Sequence, residues 1–163
     1  MRVLAPVAGV VRPISEAPDP VFAAEMVGSG VAIDPDGGPQ VAVAPLDGRI
    51  AKVHPHAYVL ASPGGVGVLV HLGIDTVRLE GEGFEILTPS TGKVAAGQDM
   101  IRWDPSAVAA KDLSPWVLVC QLDSAPGTVT SPVVGQHVQA GDVLFEIPDV
   151  AAGRRVKGAA ASD

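Results

Sequence analysis

The chain has 163 residues, enough for one domain with a substantial core. Its apolar share is 47% with only 4% aromatics, and it carries 19 Gly and 15 Pro, which argues against long helices and for short strands filled by Val, Ala, Leu and Ile. A net charge of −7 argues against nucleic-acid binding and against anionic membrane surfaces, and no run of about 18 apolar residues offers a bilayer-spanning segment.

Along the chain, Ala5-Pro6-Val7-Ala8-Gly9-Val10-Val11 recurs as Ala44-Pro45-Leu46-Asp47-Gly48-Arg49-Ile50, with a weaker third copy at Ser131-Pro132-Val133-Val134-Gly135. A second pattern, Val94-Ala95-Ala96-Gly97 before Gln98-Asp99, returns as Val138-Gln139-Ala140-Gly141 before Asp142. Each copy reads as a strand ending in a Gly-containing turn, with Pro tolerated at a strand start. Units this short do not make a solenoid. They predict an all-β fold, an antiparallel β-sandwich or barrel with an internal quasi-repeat and little helix.

Other expected strands are 30–33, 40–43, 56–60, 66–72, 78–79 and 143–147. Pro20 to Val27 reads as a short helix or an irregular strand. Asp104 to Lys111 reads as a helical turn, with Asp104 as N-cap and Pro105 at the first position. Trp116 to Leu122 reads as a buried strand that holds the single Cys120 as a core thiol, without a disulfide partner. The expected organisation is one domain over residues 1–150, with a disordered tail at 151–163.

The chemistry-bearing feature is a pair of histidines flanking Ser62-Pro63-Gly64-Gly65. A two-residue turn at Pro63-Gly64 would set His56 opposite His71, Tyr58 opposite Leu69 and Leu60 opposite Gly67. Facing residues lie about 4.5–5.5 Å apart, so two imidazoles could share one small ligand. Asp75 follows four residues after His71, and His54 lies two before His56.

Two chemistries fit these residues. A neutral imidazole nitrogen can accept a phosphoryl group while the second ring donates a hydrogen bond to its oxygens. Alternatively His54, His56, His71 and Asp75 could hold Zn²⁺ in a peptidase. A third class, a biotinyl- or lipoyl-like carrier, has only Lys93 as an attachment point. The spacing alone leaves the first two open.

Val70-His71-Leu72-Gly73-Ile74-Asp75-Thr76-Val77-Arg78-Leu79-Glu80-Gly81-Glu82-Gly83-Phe84 closely resembles the signature of the glucose-type IIA component of the phosphoenolpyruvate-dependent sugar phosphotransferase system. Pro18-Asp19-Pro20-Val21-Phe22-Ala23, Met26-Val27-Gly28-Ser29-Gly30, Val43-Ala44-Pro45-Leu46-Asp47-Gly48 and His56-Ala57 extend the resemblance from about Ala5 to Ile147. It implies that His71 accepts the phosphoryl group on Nε2 and that His56 hydrogen-bonds its oxygens. The phosphoryl group then comes from the phosphocarrier HPr and passes to a IIB domain of a membrane sugar permease, in the cytoplasm. No cofactor is required, because the phosphoryl group is carried covalently on His71. The site needs no metal either, and any that bound would sit on His56 and His71. Regulatory protein targets are also implied, and the sugar stays open between glucose, N-acetylglucosamine and their relatives.

Within that frame, the Gly73 carbonyl is expected to orient the His71 ring, with Asp75 as a further polar or orienting group. Val21, Phe22, Met26, Val27 and Leu69 are expected to form an apolar docking rim. Two departures from the family pattern stand out. His54 occupies the place of a Thr that orients the partner histidine, and Ser29 replaces an Asp near the site.

Overall fold

The computed structural model describes residues 1–148. The expected tail at 151–163, and the last two residues of the expected domain, lie outside them. The strands are β1 Arg2–Leu4, β2 Gly9–Pro13, β3 Gly28–Pro35, β4 Gln40–Val43, β5 Gly48–His54, β6 Ala57–Ala61, β7 Gly67–Leu72, β8 Glu85–Ile86, β9 Gly92–Val94, β10 Asp99–Trp103, β11 Val117–Leu122, β12 His137–Val138 and β13 Val143–Glu146. The two helices, α1 Pro20–Ala23 and α2 Pro105–Ala110, are short. Asp19 and Asp104 cap them, each followed by Pro at the first helical position.

One eight-stranded sheet, in the order β12-β2-β3-β11-β7-β6-β5-β9, carries the fold. Smaller sheets, β4-β10-β8 and β1-β13, complete it, and every pairing is antiparallel. The main core lies on one face of the large sheet. Val68, Val70 and Leu72 of β7, Tyr58 and Leu60 of β6, and Val117 and Val119 of β11 are all buried there. The alternate residues of the same strands face the other way. Leu118 and Cys120 join Ile14, Ala17, Ala32 and Ile74 in a second, smaller cluster on that opposite face.

The quasi-repeat is a local two-fold in the backbone. Leu4 N donates to Pro45 O at 2.8 Å, and Val43 N donates to Pro6 O at 3.0 Å. Gly141 N binds Ala5 O at 2.9 Å, just as Gly97 N binds Ala44 O at 2.8 Å. β12 on β2 and β9 on β5 repeat the same pairing, Gly9 with Val138 and Gly48 with Val94. The glycines open strands β2 and β5 instead of closing a strand, which corrects the sequence reading. A carbonyl crosses close over each, so that a Cβ would lie 2.2 Å from Asp34 O at Gly9 and 2.2 Å from Ala61 O at Gly48. The third copy, 131–135, is a turn that donates Gly135 N to Val11 O.

Two further expectations change. Residues 78–79 belong to a 3-10 turn, Thr76–Leu79, because left-handed Asp75 and Glu80 bracket it and break extension. The β6–β7 register is shifted by one residue. Ala57 faces His71, Tyr58 faces Val70 and Leu60 faces Val68. The connection is a three-residue loop, Pro63-Gly64-Gly65, closed by Ser62 N to Val66 O, with Gly65 at φ +88. A three-residue hairpin loop ends in such a left-handed glycine, and its extra residue moves every pair along by one.

Candidate active site

His71 is the next-to-last residue of β7, on the face away from the main core. Its neighbours in the ladder are Leu118 on β11 and Ala57 on β6. Alternation puts the small Ala57 side chain beside it and leaves the ring half-buried. The chain then turns sharply at Gly73, which has φ +80. A Cβ there would lie 2.5 Å from Thr76 Cγ2, so only glycine fits without displacement. Gly73 N donates to Trp116 O, Ile74 N to Ser114 O, and Thr76 Oγ1 to Leu72 O at 2.7 Å.

This pinned turn presents the Gly73 carbonyl to Nδ1 of His71 at 2.7 Å. A carbonyl oxygen can only accept, so Nδ1 carries the hydrogen and Nε2 of the neutral ring keeps its lone pair. Burial lowers the pKa of His71 below its ordinary value, and the Gly73 bond and the carboxylates of Asp19 and Asp75 pull against that. The direction leaves the ring neutral near pH 7.

His56 precedes β6, in the two-residue turn Pro55-His56 between His54 and Ala57. Its carbonyl accepts from Leu72 N at 2.8 Å. Although His56 does not face His71 in the ladder, its place in the turn brings the rings together. The centroids are 5.1 Å apart and the planes 72° apart. Burial and the neighbouring His71 and His54 lower its pKa to about 4. No hydrogen bond within the described residues engages either ring nitrogen of His56. The His54 ring stacks on it at 5.9 Å and 18°.

Phe22 closes the other side of His71, with ring centroids 5.3 Å apart. Asp19 positions it by accepting from Val21 N at 2.8 Å and Phe22 N at 3.2 Å. Val21 is 45% exposed and Met26 74%. Val27 is half-buried, as is Leu69, which shares His71's face of β7. Asp75 is exposed and hydrogen-bonds neither histidine. Its carboxylate lies 3.9 Å from Arg78 Nη2 and acts on His71 through charge alone. Ser29 is fully buried beside Gln121 on β11, with its hydroxyl accepting from Val129 N. It shares the face of Val31 and so anchors the 124–129 loop, which removes it from the surroundings of His71.

The metal reading loses its geometry. The His54 and His56 rings lie nearly parallel with centroids 5.9 Å apart, and among the described residues no group of three or more His, Cys, Asp or Glu is placed to hold a metal ion. Cys120 is buried, with its thiol pushed up to about 12 by burial and then by Glu25. The sequence reasoning missed Asp19 as a charge felt by His71. Asp19 was visible as an Asp-Pro helix start.

Two imidazoles thus meet on the face of a sheet, and the tautomer set at His71 leaves its Nε2 lone pair available to an electrophile, which is the chemistry of a group-carrying site. Residues 1–126 match the family described as phosphoenolpyruvate-dependent sugar phosphotransferase system, EIIA 1, and the chain belongs to that family. The glucose-specific EIIA component of Bacillus cereus is 38% identical over 133 residues, 79% of each chain. The glucoside-specific EIICBA component of Staphylococcus carnosus is 42% identical over 104 residues, 63% of this chain and 15% of that one. Among solved structures, glucose permease IIA from Mycoplasma capricolum superposes with a TM-score of 0.77 at 33% identity, covering 89% of this chain and 94% of that one. The protein is thus a phosphotransferase relay component of sugar uptake. Among the described residues, no helix is long and apolar enough to cross a membrane.

Proposed function

We propose that Nε2 of His71 accepts a phosphoryl group from the phosphohistidine of HPr and passes it to the IIB partner, with His56 as hydrogen-bond donor to the phosphoryl oxygens. The observation that carries this reading is the 2.7 Å contact between His71 Nδ1 and Gly73 O, which leaves Nε2 as the nucleophile. In the transfer, the Nε2 lone pair forms the new N–P bond as the donor's N–P bond breaks, and that electron pair returns to the donor nitrogen. Positive charge then spreads over the phosphorylated ring, and the Nδ1–H bond to the carbonyl strengthens with it. His56 must protonate to donate from a second nitrogen, and the incoming dianion favours that proton.

No metal or cofactor takes part, because the carried group is bound covalently to His71. The apolar surface of Val21, Phe22, Met26, Val27 and Leu69 serves as the docking rim, and the acidic chain suits partners with basic residues around their own sites. Residues 1–150 act as one phosphocarrier domain in the cytoplasm. The glucose-specific names of relatives point to a hexose of the glucose type as the sugar finally phosphorylated.

The experiment is incubation with phosphoenolpyruvate, the first enzyme of the system and HPr. The protein should gain one acid-labile, base-stable phosphate, and His71→Ala should abolish it. Phosphate uptake that survives His71→Ala would refute the reading.

A further inference from the structure

His56 sits at the third position of the tight turn His54-Pro55-His56-Ala57, whose closing residues His54 and Ala57 pair across β5 and β6. Pro55 fixes the backbone by its own ring, and Leu72 N holds the His56 carbonyl at 2.8 Å. Neither constraint reaches the imidazole, which still turns about two side-chain bonds. A ring meant to donate to a phosphoryl oxygen needs one of its nitrogens aimed at it, and aim is usually set by a hydrogen bond on the other nitrogen. His56 has no such bond among the described residues. Its ring contacts are His71, edge-on at 72°, and His54, nearly parallel at 18°. The edge-on contact is with the group that must itself change partners during transfer. Only the parallel contact lies outside the reacting pair.

We propose that His54 is the positioning residue of the transfer: its ring, nearly parallel to that of His56, fixes the plane in which His56 presents N–H to the phosphoryl group. This rests on the assignment of His56 as donor to the phosphoryl oxygens. His54 is exposed and touches no reacting atom. Its flat face is the feature the role requires, and its nitrogens are not used. A phenyl ring at position 54 therefore keeps the stack, and a methyl group loses it.

The test compares His54→Ala, His54→Phe and His56→Ala in two half-reactions, phosphorylation by HPr and discharge to the IIB partner. ¹⁵N spectra of the His56 ring are recorded alongside. In His54→Ala, discharge should slow by about tenfold or more, since small misplacements of a catalytic group carry losses of that order. Charging by HPr and the thermal midpoint should stay near wild type, and the His56 ring signals should broaden or shift. His54→Phe should restore both discharge and spectrum. Full discharge in His54→Ala with unchanged ring signals would overturn the proposal. So would a His54→Phe protein as slow as His54→Ala, since the nitrogens would then be needed. Normal discharge in His56→Ala would instead sink the donor role of His56, and the two failures are distinguishable in one experiment.

Discussion

The Nδ1 atom of His71 lies 2.7 Å from the carbonyl oxygen of Gly73, two residues along the chain. The contact exists because β7 ends at Leu72 and the backbone turns back at φ +80 instead of running on. A single left-handed glycine thus sets the tautomer of the acceptor ring. Replacing Gly73 with Ala would force the new Cβ against Thr76 Cγ2 and Ser114 O in a backbone region that Ala disfavours. We predict a loss of about 1–3 kcal/mol of stability in denaturant melts. Phosphorylation by HPr should slow well beyond that loss, because the Nδ1 partner moves.

His56 and His71 both have pKa values below the ordinary histidine value, His56 at about 4. Acceptance of phosphate should therefore hold level as pH falls through 6.5, and decline only in more acid solution, where Nε2 protonates. The same groups link stability to pH. Between about 6.5 and 4 the unfolded chain binds protons that folded His56 refuses. The stabilisation is present above 6.5 and lost as pH falls towards 4. Chemical denaturation across that window should show the fall, and His56→Gln should make it shallower.

Phosphorylation should reverse the state of His56. A dianion beside a ring 5.1 Å from His71 favours the charged imidazole. The His56 pKa, followed by ring proton shifts, should rise from about 4 towards neutrality in the phosphorylated protein. His56→Ala should still charge from HPr but discharge about a hundredfold more slowly, as expected for removal of one donor to developing charge. An unchanged His56 titration after phosphorylation would count against the donor role.

Asp19 has two jobs that separate cleanly. Its carboxylate caps α1 through Val21 N and Phe22 N, and its charge supports protonation of His71. Asp19→Ala should cost about 1 kcal/mol by losing the cap, and it should loosen the Phe22 ring from His71. Asp19→Asn should keep most of the stability while lowering the His71 pKa further. Thermal melts and histidine titration by NMR read the two effects independently.

The family was legible in the segment from Val70 to Phe84, where distinctive residues stand at fixed spacing. The capped helix at Pro105–Ala110 was legible from its Asp-Pro start, a local signal, whereas the sequence of Pro20 to Val27 does not decide between a short helix and an irregular strand, although Asp19 caps it in the same way. Register was not local. Whether Ser62 to Val66 closes around two residues or three depends on Gly65 adopting φ +88, and Pro63-Gly64 looked sufficient as a turn. The His56–His71 meeting was foreseen for a reason that does not hold, since Ala57 takes the facing position and the Pro55-His56 turn returns the ring to the site. The charge of Asp19 on His71 escaped notice because the two residues are remote in sequence and that effect acts through space.

Met26, 74% exposed, tests the docking rim without disturbing the core. Met26→Asp should leave the thermal midpoint unchanged and weaken HPr binding about tenfold by calorimetry, roughly 1.4 kcal/mol. Equal affinity would remove Met26 from the interface.

The most direct measurement is ¹⁵N and ³¹P NMR of the singly phosphorylated protein with labelled histidine. The phosphorus should couple to Nε2 of His71, with Nδ1 still carrying its hydrogen. Coupling to Nδ1 of His71, or to any nitrogen of His56, His54 or His137, would contradict the relay described here.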